Sequence, residues 1–171
     1  MNYKDKYIKY KNKYIDLKNK LNMFGGKIVY KLENDILIVN FKGNKKLMNE
    51  ILDPISNEYE GNVMRNREGH NFPSAYIPIG HMLFEYKDKC KYVLGILNQD
   101  SLPHELLHAR FFLDEKYRTE QCDEWKSYKQ ETRDKITTFL KRLGYSDNVI
   151  IDEYQAYKNT EKANFFGFTL K

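Results

Sequence analysis

His104, Glu105 and His108 fall within one five-residue run, His104-Glu105-Leu106-Leu107-His108. On an α-helix, residues four apart lie about 40° apart in rotation and about 6 Å apart along the axis. Both imidazoles can then reach one cation. Glu105 sits beside that face, where its carboxylate can reach a water on the ion without being a ligand. Two neutral imidazoles with an adjacent glutamate suit Zn²⁺, the glutamate serving as general base. Zinc lowers the pKa of its water toward ~7, and Glu105 would accept the proton as hydroxide attacks a carbonyl. The chain has only four histidines, and this pair takes two of them.

A catalytic zinc needs a third protein ligand and an open fourth position. No histidine follows His108, so a downstream carboxylate must serve. Asp114 and Glu115 would share the helix of the pair, but Glu115 would lie about 10 Å along the axis from His108. That is too far to share one ion. Glu131 and Asp134 are open to the role, and Glu153, in the run IIDEYQAY, is the foremost choice. Attack on a carbonyl also needs a donor for the oxyanion. Tyr154, Tyr157, His70 and His81 are all open to that part.

The run HELLH followed at a distance by DEYQAY resembles the gluzincin branch of the zincin metallopeptidases, which includes thermolysin and the zinc aminopeptidases. In that branch the third ligand is a glutamate on a second helix. It commonly follows Asn or Asp and is followed three positions on by a small residue. Asp152, Glu153 and Ala156 match that pattern. The resemblance implies His104, His108 and Glu153 as zinc ligands, Glu105 as general base, and a peptide or protein as substrate. It covers about 55 residues. No further aminopeptidase signature lies upstream. Cys90, in KDKCKY, does not match the upstream cysteine motif of peptide deformylase.

These residues need elements to hold them. The runs KIVYKL and DILIVNF predict a β-hairpin. NKKLMNEILDPISNEY predicts a short helix ending near Pro54. The glycines, Pro73 and several Asn and Arg over 61–75 predict a loop. AYIPIGHMLFEY and KYVLGIL read as strands, the first irregular because of Pro78 and Gly80. One edge of these strands could pair with an extended substrate peptide. PHELLHARFFLDEKYR has no breaker after Pro103 and predicts one helix, capped by Asp100 or Ser101. A long helix is predicted from about Glu120 to Leu143, with Trp125, Tyr128, Ile136, Phe139, Leu140 and Leu143 on one face and Gly144 as its stop. NVIIDEYQAYKN predicts a third helical segment or a strand followed by a helix. Strands first and helices later indicate an α+β domain, here a small zincin-like one over 27–171.

The 171 residues suit one domain with an appendage. Residues 1–24 hold seven lysines against Asp5 and Asp16. Subtracting them from the 29 basic and 24 acidic residues of the chain leaves 22 of each. The net charge of +5 therefore belongs to the first 24 residues, and the body has no basic excess that would suit nucleic acid. Tyr3, Tyr7, Tyr10, Tyr14, Leu17, Leu21 and Phe24 form a heptad seam. A basic amphipathic helix over 1–26, ended by Gly25-Gly26, is expected. It could pack on the body or on a partner such as a second copy or a virion component, or serve as a basic tether to a nucleic acid, an anionic surface or a particle. The run YKDKYIKYKNKYIDLKNKLNMFGG resembles the Lys/Tyr-rich leaders of proteins from mimivirus-like giant DNA viruses. That implies a viral origin. The lone cysteines and the lack of a secretory signal suit an intracellular protein, in host cytoplasm or virion if viral. The alternative to the zinc hydrolase is a non-catalytic interaction or virion protein that keeps the zincin fold as a scaffold and works through its arm. No membrane span and no secretory signal are expected. Cys90 and Cys122 read as free thiols.

Overall fold

The computed structural model describes residues 28–63 and 68–169. The amphipathic helix and glycine stop expected over 1–26 lie outside the described residues. The hairpin forms as expected. Strand β1 (Val29–Glu33) and strand β2 (Ile36–Asn40) pair antiparallel. Asn34 and Asp35 both take left-handed backbone (φ 49° and 65°), the two-residue turn whose twist suits a hairpin.

The helix after β2, α1 (Lys45–Glu60), does not stop at Pro54. Pro54 is exposed, so its ring lies on the solvent side of the helix. The opposite face buries Leu47, Met48, Ile51, Leu52 and Ile55. The expected loop contains strand β3 (Gly69–Pro73), which pairs antiparallel with β4 (Tyr92–Ile96). Strand pairing overrides the turn composition there. The segment expected as an irregular strand over 75–86 is instead two 3₁₀ turns, Ser74–Tyr76 and Phe84–Tyr86. Gly80 takes φ 83° between them; Ile77 and Leu83 are buried in the core, and Met82 and Tyr86 pack against it.

The sheet order is β1-β2-β4-β3, with β2 and β4 parallel. Alternate residues face opposite sides. Leu37, Val39, Phe72 and Val93 pack under α1. Gly95 lies on that side too, and a Cβ there would stand 2.0 Å from Leu52 Cδ1, so the missing side chain lets α1 close on the sheet. Tyr92 and Leu94, flanked by Ile36 and Ile38, meet Ala109 and Leu113 on the other side. Those two residues belong to α2 (Leu102–Leu113), which carries the histidine pair.

The free edge of β3 is covered. Asn71 donates its backbone N–H to Glu60 Oε1 at 3.3 Å, and Pro73 has no N–H to offer. Peptide pairing along this edge of the sheet is thus blocked between Asn71 and Pro73; β1 is the other edge.

The helices after α2 break where no glycine or proline announces it. Asp114 ends α2 and caps α3 (Glu115–Ser127), accepting from Tyr117 N at 3.0 Å. The expected long helix is broken by two extended residues, Tyr128 and Lys129, before α4 (Gln130–Arg142). Gly144, at φ 100°, does end α4. After a 3₁₀ turn comes α5 (Ile150–Thr160). Trp125, Ile136, Leu140, Ile150, Tyr154, Tyr157 and Phe166 form a second core between α3, α4 and α5. The fold is α+β: a mixed four-stranded sheet and five helices among the described residues. No helix among them is long and apolar enough to cross a membrane.

Candidate metal centre

The first turn of α2 follows a 3₁₀ turn over Gln99–Ser101. Asn98, not Asp100 or Ser101, supplies the cap there, accepting from Asp100 N at 2.9 Å. Pro103 occupies the first turn of α2, where no amide partner is lost. The helical spacing then aims His104 and His108 at α5. Helix α5 answers with Asp152 and Glu153 from its first turn and Thr160 from its last. Ala156, between them, is fully buried. Gln155 ties the two helices, donating to Leu107 O at 3.3 Å.

The two Nε2 atoms of His104 and His108 lie 3.3 Å apart. Glu153 Oε1 lies 3.8 Å from His108 Nε2. One ligand atom from each of the three residues falls within 4.8 Å of the others. Two nitrogens held about 2.0–2.1 Å from a tetrahedral zinc would be separated by about 3.3–3.4 Å.

The remaining ring nitrogens are committed elsewhere, which fixes the tautomers. Thr160 Oγ1 donates to Ala156 O at 2.8 Å, so its contact with His104 Nδ1 at 2.9 Å must be one in which the ring donates. His108 Nδ1 donates to Asp152 Oδ1 at 2.9 Å. Gln155 Nε2 donates to the same oxygen at 3.0 Å, and Tyr117 OH donates to Gln155 Oε1 at 2.8 Å. The two Nε2 atoms are left facing each other, with Glu153 Oε1 beside that of His108. Glu153 is 2% exposed, and its Oε2 has no hydrogen-bond partner. A buried carboxylate with an orphan oxygen, set against two imidazoles, suits a cation.

Electrostatics agree with that reading. Burial pushes the Glu153 carboxyl well above its ordinary range; His108 opposes the rise, and Glu60 and Asp152 add to it. Burial disfavours charge on His108, but Asp152 and Glu153 outweigh it and hold its pKa well above the ordinary imidazole value. The pocket is built to hold positive charge.

Glu105 is buried and stands outside the three-ligand group. With His104 it lines a cleft of about 620 Å³, together with Gly69, Tyr145, Tyr157 and Thr160. Tyr145 OH and Tyr157 OH are 2.8 Å apart. Burial, with Glu153 nearby, holds the Tyr145 hydroxyl well above its ordinary pKa, so it stays a donor at neutral pH. The Tyr157 ring lies 4.8 Å from that of His104.

The other sequence candidates are elsewhere. Glu131 pairs with Lys135 on the surface of α4, and Asp134 accepts from Gln130 there. Tyr154 sits in the helical core and donates to Glu124. His70 lies on the α1 side of the sheet, 2.8 Å from Ser56 Oγ. His81, with Nε2 3.2 Å from Ile51 O, is also there. Of the four oxyanion candidates only Tyr157 faces the cleft. Tyr145, Thr160 and Asn71 carry no local sequence signal for their places, which the packing of α2 on α5 and β3 sets, and Asp152 is marked in the sequence only as the residue before Glu153. No protein-family model matches this chain, and no curated protein or solved structure matches it either.

Proposed function

We propose that the chain is a zinc-dependent hydrolase, and that its reaction is peptide-bond hydrolysis. The supporting observation is the pair of Nε2 atoms 3.3 Å apart beside the buried Glu153 carboxylate, one oxygen of which has no hydrogen-bond partner. His104, His108 and Glu153 would hold the ion. When bound, Zn²⁺ supplies Lewis-acid polarisation of water and carbonyl oxygen. Glu105 accepts the proton of the attacking water and returns it to the leaving amine. Tyr145 and Tyr157 stand in the same cleft as the base and present a hydroxyl pair to the developing oxyanion. Asp152 and Thr160 keep both imidazoles in the tautomer a ligand needs.

Elemental analysis of purified protein should give about one zinc per chain, falling at least tenfold in His104→Ala at matched free zinc. Glu105→Gln should keep the metal and lower cleavage of a mixed peptide library by about 100-fold or more. Absence of stoichiometric zinc sinks the proposal. Zinc without cleavage of any peptide would favour the alternative, a non-catalytic interaction protein acting through its basic arm.

A further inference from the structure

The base has neighbours on β3 that are chemically matched to it. Asn71 is 4% exposed and faces α2 across the sheet edge. Its Nδ2 donates to Glu105 Oε2 at 3.2 Å. Its Oδ1 accepts from Tyr92 OH at 2.7 Å. The tyrosine proton fixes which end of the amide meets the glutamate, because the reversed amide would set oxygen against carboxylate. The Asn71 backbone N–H is held by Glu60 Oε1, which ties this point of the strand to the end of α1. Two residues earlier, Gly69 leaves the space that Glu105 occupies. A Cβ on Gly69 would stand 2.1 Å from Glu105 Oε1 and 2.5 Å from its Cδ.

We propose that Asn71 is a positioning residue for Glu105. Its amide selects one setting of a carboxylate that could otherwise take several, and Gly69 clears the space for that setting. Glutamate side chains have several staggered rotamers, and a base displaced by about 1 Å can lose about 100-fold in rate. The role rests on the hydrolase reading for its meaning in turnover, but the positional claim stands on this contact alone.

Two readouts separate the claims. The first needs no activity: crystal structures of the full chain and of Asn71→Leu, with Gly69→Ala as a second variant. In both variants the Glu105 carboxylate should leave the place it holds beside Gly69, while His104, His108 and Glu153 stay put. An unmoved Glu105 in Asn71→Leu overturns the proposal. The second readout uses a peptide that the zinc-loaded wild type cleaves from a mixed library. Asn71→Leu should lower kcat about 30-fold, with KM and zinc content unchanged. In a Glu105→Gln background the same change should have less than a twofold effect. A merely structural role would instead lower zinc content, or lower the residual rate of Glu105→Gln by the same factor. Asn71→Ser, which keeps a donor, should recover part of the loss. If the wild type binds no zinc, the hydrolase reading fails, and the crystal comparison still decides the positional claim.

Discussion

Asp152 lies outside the group of three candidate ligands, yet it bonds one of them. Its Oδ1 accepts from Nδ1 of His108 at 2.9 Å, which leaves Nε2 turned toward His104 and Glu153. A carboxylate behind an imidazole also raises its basicity. Asp152→Asn keeps an acceptor of similar shape and removes the charge. Zinc affinity, measured by competition with a chelating dye, should fall about 10–100-fold, while the fold is retained. Unchanged affinity would mean that Asp152 serves packing alone. How much of this was readable beforehand follows from distance along the chain. The histidine pair and Glu105 were legible because a helix fixes their spacing locally. Glu153 was legible through a resemblance, since a turn of α5 had to be matched to a turn of α2. Asp152 was visible only as the residue before Glu153, and Thr160 and Asn71 not at all. Their roles come from helix α5 and strand β3 closing on α2, which no local pattern encodes.

At the scale of elements, the glutamate-bearing helix must be held at a fixed height against α2. Lys158 on α5 pairs with Glu124 on α3, and Tyr154 and Tyr128 donate to the same carboxylate. Burial alone would raise the Glu124 carboxyl, but Lys158 outweighs it, and the value lies below the ordinary 4.5. A lowered folded-state value means the contribution is fully present above about pH 4.5 and is lost as pH falls through the lowered value. The pair is partly exposed, so it contributes under about 1 kcal/mol. Glu124→Gln should lower the Tm at pH 7 by about 2–3 °C, and the gap to wild type should close as the pH falls below the lowered Glu124 value. A gap that persists in acid would assign the loss to packing. The elements themselves were partly legible. The hairpin, β4, the histidine helix and the stop at Gly144 followed from alternation and turn chemistry. The breaks at Asp114 and at Tyr128-Lys129 did not, because a capping aspartate and two extended residues look ordinary inside a helical pattern. Strand β3 was hidden by its Gly, Asn and Pro content, and α1 ran past Pro54 because that residue faces water.

At the scale of the whole molecule, charge and site occupy different parts of the chain. Residues 1–24 carry the whole excess of +5, while the remainder has 22 basic and 22 acidic residues. Every group of the candidate centre lies in that neutral remainder, from Gly69 on β3 to Thr160 on α5. Long-range attraction to an anionic surface should then be separable from metal binding. Replacing the seven lysines of the arm by glutamine removes the charge without removing any residue of the core. Full-length protein should be retained on a sulfonate cation exchanger at pH 7 in ~20 mM salt and released as the screening length shrinks toward ~10 Å near 0.1 M. The seven-fold glutamine variant should pass unretained and still bind one zinc per chain. Equal retention of both proteins would place a basic face on the body, which its charge balance argues against. Loss of zinc from the variant would mean that the arm supports the centre, and the two parts of the chain would have to be treated as one functional unit.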